Sequence, residues 1–216
     1  MPETIHSVDG FLKEKDERLL NDARNGNGIK YDNITGSAFY NSSFQAAHLY
    51  KNGKKVGTFP IKINFLTNEI YFLQGEKELV VEDGRIDSIV FFNTPDTAIV
   101  ISVVTNLLLK DKTVDAFVQI LNKGDWKLLK YTKKELSSSE AGLTQKKYSF
   151  NTESYYYLKY KQKVERIKRL DRETLLSYLP SYPESRRWIE IKKTDFRKEQ
   201  DVVAFLNYYN NAFSGY

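Results

Sequence analysis

From Gly36 onward the apolar residues fall in short runs rich in Val, Ile, Phe and Tyr, broken by turn residues. The runs recur roughly every 10 to 12 positions, the spacing of antiparallel strands in a meander, sandwich or barrel. Phe59, Ile61, Ile63 and Phe65 alternate with Pro60, Lys62 and Asn64. That period of two predicts a strand with one buried face. Ala46 to Lys51 and Lys54 to Thr58 flank Asn52-Gly53. Both of these residues tolerate positive φ, so the pair predicts a hairpin with a two-residue type I′ turn. Further strands are predicted over Glu69–Gln74, Glu78–Glu82, Ile86–Phe92, Ala98–Thr105, Val114–Asn122 and Trp126–Thr132. The polar, Ser-rich stretch from Leu136 to Lys147 reads as an exposed loop, and Tyr148 to Ile167 as two more strands.

The period changes after Leu170. Asp171 is placed to cap a short helix that carries Leu175, Leu176 and Leu179 and ends at Pro180. Ser181-Tyr182-Pro183-Glu184 has the spacing of a capping box and opens a second helix with Trp188 and Ile191. Val202, Phe205, Leu206, Tyr209 and Phe213 share one face of a third helix over Asp201–Phe213. At the other end, Phe11 to Arg24 reads as a short amphipathic helix followed by the loop Asn25-Gly26-Asn27-Gly28. The expected fold is α+β. An antiparallel β-rich body (roll, sandwich or barrel-like) over 36–168 follows a lead-in segment, 1–35, and precedes a helical subdomain, 169–216.

Composition narrows the chemistry. The 216 residues contain no cysteine, which closes disulfide, thiolate, zinc-cysteine and iron-sulfur chemistry. His6 and His48 are the two histidines, the first near the terminus and the second inside the first hairpin strand. No G-x-S-x-G, G-x-G-x-x-G, P-loop or calcium-loop pattern occurs, so no catalytic residue, metal ligand or cofactor is assigned. Met1 to Gly10 holds two acids, no Lys or Arg and no apolar core, unlike a signal peptide. Apolar stretches such as Ala98 to Val104 fall far short of the roughly 18 residues of a membrane-spanning helix.

Gly36 to Phe72 (GSAFYNSSFQAAHLYKNGKKVGTFPIKINFLTNEIYF) resembles the opening of a set of Bacteroidota envelope proteins of unknown function, which usually carry Pro where this chain has Ala38. YYYLK (Tyr155 to Lys159), LLSYLP (Leu175 to Pro180) and VVAFLNYYN (Val202 to Asn210) resemble the end of the same proteins. The resemblance implies a leader-bearing precursor and a periplasmic, surface or secreted location, with cytoplasm as the alternative. It carries over no functional residue.

Charge is unevenly placed. Residues 1–122 hold 13 basic and 16 acidic side chains, a net of −3, whereas residues 123–216 hold 20 and 12, a net of +8. If Tyr155 to Val164 is one strand, then Tyr155, Tyr157, Lys159, Lys161 and Lys163 line one face. With Arg166 they form the candidate binding residues. The expectation is a non-enzymatic envelope protein that binds a protein or glycan partner through this Tyr- and Lys-bearing surface. The alternatives are a metal-independent Asp/Glu hydrolase acting on glycans, and a nucleic-acid or polyanion binder using residues 155–172.

Overall fold

The computed structural model describes residues 12–14, 34–41, 43–81, 86–92, 99–141 and 145–213. The fold is α+β: a β-rich body followed by three C-terminal helices, as the change of period predicts. The chain divides into two compact units, residues 1–98 with 133–153, and residues 99–132 with 154–216.

In the first unit six strands lie in the order β1 (Leu12–Glu14), β6 (Lys77–Val81), β5 (Glu69–Gln74), β4 (Lys54–Asn64), β3 (Gln45–Lys51) and β7 (Ser88–Phe91). Neighbours in this order run antiparallel. Leu12–Glu14 is strand, where the sequence reading places helix, because it finds the edge of β6 in register Leu12 to Val81; the rest of that predicted helix lies outside the described residues. The short β2 (Ile34–Thr35) runs parallel to Tyr148 and Ser149. The β3–β4 turn is Asn52-Gly53 with φ of 50° and 71°, the left-handed pair that the dipeptide predicts. Alternation holds along β4 as far as Ile63, where Ile61 and Ile63 are buried and Lys62 lies over the rings of Phe39 and Phe44, but Asn64, expected on the polar face, is buried and accepts from the Leu66 N–H at 2.9 Å.

The second unit is built on β8 (Ile99–Leu109), β9 (Lys112–Ile120), β10 (Trp126–Ala141), β11 (Gln145–Tyr160) and β12 (Lys163–Ile167), neighbours in that order. β10 and β11 each give one half to each unit. Within the predicted loop over Leu136 to Lys147, residues 136–141 are instead the end of β10 and residues 145–147 the start of β11; 142–144 lie outside the described residues. Ser138, Ser139 and Glu140 are exposed as expected, but backbone pairing needs no apolar side chain, so a polar segment extends the strands. The ring pairs Trp126–Tyr160 and Tyr131–Tyr155 both fall on one antiparallel register of the neighbouring strands β10 and β11.

One face of these strands carries the helices α1 (Arg172–Tyr178), α2 (Pro183–Lys192) and α3 (Glu199–Phe213). Leu128, Leu158 and Ile167 pack there with Leu175, Ile189, Val202, Phe205, Leu206 and Tyr209. Each such side chain taken fully from water contributes about 1.5–3 kcal/mol. Asp171 caps α1 by accepting from the Thr174 N–H at 2.8 Å. The capping box expected at Ser181 does not form: Tyr182 is the cap residue and Pro183, whose missing N–H would be unsatisfied anyway, begins α2.

Candidate functional site

Strand alternation sends Tyr155, Tyr157 and Lys159 to the sheet face away from the helices, because Tyr156 and Leu158 belong to the helical core. Arg166 joins them, since it pairs with Tyr157 across β11 and β12. On β10 the same alternation places Lys127, Leu129 and Tyr131 on this face. The register set by the two ring pairs puts Lys127 across from Lys159.

The base of the face is apolar. Leu107, Ala116, Val118, Leu129 and Tyr157 form a buried cluster, with Val104, Val114, Tyr131, Tyr155 and Val164 packed against it. A bulge makes this possible on β8. Val104 pairs with Ala116 but Leu107 with Val114, so the extra residue returns both Val104 and Leu107 to the same side. Asn106, at φ 55°, donates its N–H to Asp115 Oδ1 at 2.8 Å within the bulge. Tyr157, 1% exposed, donates its hydroxyl to the Leu108 carbonyl at 2.9 Å. Leu108 lies on β8, three places from β11 in the strand order, so the five strands curl and Tyr157 reaches across the concavity.

Above this base stands a row of three side chains on three neighbouring strands. The rings of Tyr131 and Tyr155 stack with centroids 6.1 Å apart and planes 26° apart. The Arg166 guanidinium lies 5.1 Å from the Tyr155 centroid, a cation–π distance. β10 and β12 flank β11, so Tyr155 has Tyr131 on one side and Arg166 on the other. Arg166 Nε is buried and meets no hydrogen-bond acceptor. Neither Arg166, Lys159 nor Lys127 makes an ion pair with any described residue. All three are half-buried. Burial pushes the Tyr157 hydroxyl up to about 12; Arg166 opposes the shift, while Tyr131 and Tyr155 add to it.

No protein-family model, curated protein or solved structure matches the chain.

The face thus gathers four of the six residues predicted from sequence: Tyr155, Tyr157, Lys159 and Arg166. Tyr157 serves as its floor. Lys161 and Lys163 do not line it. β11 ends at Tyr160, Lys161 (φ 53°) and Gln162 make a two-residue turn, and Lys163 starts β12 paired with Tyr160 on the helical side. The one-strand reading of Tyr155 to Val164 fails because Leu158 and Ile167 must both reach the helical core, and only a turn between them allows it. Lys163 also pairs with Glu165. Sequence reasoning missed Lys127 and Tyr131. The available signal was the alternation of Lys127, Leu129 and Tyr131 within β10.

Other polar clusters are closed on themselves. Glu69 accepts from Thr67 Oγ1 at 2.7 Å and from the Tyr71 hydroxyl at 2.8 Å. Glu199 accepts from Lys130 Nζ at 2.8 Å and from the Tyr156 hydroxyl at 2.7 Å. His48 lies in β3 with Nδ1 2.8 Å from Thr58 Oγ1 and its ring tilted on Phe92 at 4.4 Å. Among the described residues no three His, Asp or Glu side chains gather as metal ligands.

Proposed function

We propose that this chain is a binding protein, not a catalyst, and that it takes a glycan on the concave face of β10, β11 and β12. The observation that carries this reading is the row Tyr131, Tyr155, Arg166 with Lys159 beside it. Aromatic rings and cationic donors stand together on a firm apolar floor. Such a set offers hydrogen bonds to sugar hydroxyls from side chains already fixed by packing, so little ordering entropy opposes binding. An envelope location in a Bacteroidota cell belongs to the same proposal and rests on the sequence resemblance.

The test is a glycan array of neutral and acidic saccharides probed with the full chain. Retention of at least one saccharide class is expected, weakened by Lys159→Gln in a protein with unchanged circular dichroism. Retention of no saccharide by the folded protein contradicts the reading.

A further inference from the structure

Among the described residues, three cations on this face have no ion-pair partner. On an antiparallel pair, directly opposite residues have Cβ atoms about 4.5–5.5 Å apart, and diagonal neighbours about 7–8 Å. Lys127 and Lys159 are opposite in the register of β10 and β11, while Lys159 pairs with Val164 and so sits diagonal to Arg166. Like charges facing each other across a sheet repel and destabilise it. Elsewhere in the same unit the chain neutralises such charges: Lys130 has Glu199, Lys163 has Glu165, and Arg197 has Asp195. On this face it does not. A half-buried guanidinium whose Nε has no acceptor is costly by itself, and buried charge is ordinarily paired.

We propose that Lys127, Lys159 and Arg166 form the seat for an anionic group carried by a sugar, so that the ligand of this face is an acidic polysaccharide. This rests on the glycan reading above and adds the chemical class of the ligand. A carboxylate or sulfate placed among the three groups turns mutual repulsion into charge-assisted hydrogen bonding. Arg166 supplies the planar donors and the lysines supply point charges. The tyrosine row argues against a nucleic acid as occupant. Binding of single strands uses free aromatic faces on which bases stack. Here Tyr155 lies between Tyr131 and Arg166, so both of its faces are taken.

The experiment titrates the full chain, at one salt concentration, with polygalacturonate, its carboxyl-reduced neutral counterpart, dextran sulfate and oligo(dT). Polygalacturonate, dextran sulfate or both should bind, and the two arms tell carboxylate from sulfate. The carboxyl-reduced polymer should bind at least tenfold more weakly than polygalacturonate if carboxylate is the group. Lys127→Gln and Lys159→Gln should each lower affinity for the acidic polymer about tenfold, the scale of one lost hydrogen bond to a charged group. Arg186→Gln with Arg187→Gln, which removes two exposed charges from α2, should change it less than twofold. Equal binding of neutral and acidic polymers overturns the acid-group assignment and leaves the glycan reading standing. Binding of no saccharide overturns the glycan reading itself. Tighter binding of oligo(dT), or equal weakening by the α2 variant, also overturns the proposal.

Discussion

At the scale of single residues, the fold depends on a few side chains that no periodicity marks. Asn210 on α3 donates to the carbonyls of Lys123 and Trp126, each at 2.8 Å, and accepts from the Trp126 N–H at 2.9 Å. Asn122 reaches the same two carbonyls at 2.9 and 2.7 Å. Asn210 therefore clasps α3 to the turn that joins β9 and β10, which Asn122 braces from within. Gly124 lies in that turn at φ 101°, and a Cβ there would stand 2.5 Å from Asn210 Cγ. Gly124→Ala is expected to destabilise by about 1–3 kcal/mol from backbone strain, and more as the clasp shifts. Asn210→Ala should cost about 1–3 kcal/mol, since the Trp126 N–H loses its acceptor while the two carbonyls keep Asn122. Urea denaturation of both variants measures this. Tyr157 gives a second prediction. Its hydroxyl is held near 12 when folded, against about 10 in the unfolded chain, so the folded state keeps a proton that the unfolded state sheds. Its contribution is complete below about pH 10 and is lost as pH rises through about 12. Burial also raises Tyr71, Tyr156 and Tyr209. Stability should fall across this alkaline window, with a shallower slope in Tyr157→Phe, and chemical denaturation at stepped pH reads it directly.

At the scale of elements, the parts legible in sequence were those with a local cause. Asn52-Gly53 specifies its own turn, and Asp171 its own cap. The 3.6-residue period of Val202, Phe205, Leu206 and Tyr209 marks the α3 face. The parts that were not legible depend on distant partners. Lys161 occupies a left-handed turn position that sequence assigns to Gly or Asn, because packing of Leu158 and Ile167 against the helices outweighs the cost. The Ser-rich end of β10 is strand although it does not look like one by side chain. The candidate face is half legible for the same reason: Tyr155, Lys159 and Arg166 are near in sequence, whereas Lys127 and Tyr131 reach them through strand pairing. At the start of α3, Glu199 joins the helix to β10 and β11 through Lys130 and Tyr156. Burial opposes its charge, yet these two donors hold its carboxyl below the ordinary value. That contribution is present above about pH 4.3, the unfolded value, and is lost as pH falls through the lower folded one. Glu199→Gln should destabilise at neutral pH and flatten the acid limb of the stability curve. Thermal melts between pH 3 and 7 test both effects.

At the scale of the whole molecule, the excess of positive charge is confined to residues 123–216, whose net is +8 while the rest is slightly acidic. Much of that excess lies on helix surfaces and hairpin ends, where solvated charge is ordinary. The three unpaired cations around Tyr155 are different because they face one another across paired strands over an apolar floor. An acidic ligand on this face should bind with an affinity that falls as salt rises, since exposed charge attraction is screened over about 10 Å at 0.1 M. The most direct measurement is a nuclear magnetic resonance titration of the full chain with polygalacturonate oligosaccharides. Amide shifts are expected to concentrate on Lys127 to Tyr131, Tyr155 to Lys159 and Val164 to Arg166. Shifts confined to the basic surface of α2, or spread evenly over every lysine, would contradict the assignment of this face as the binding site.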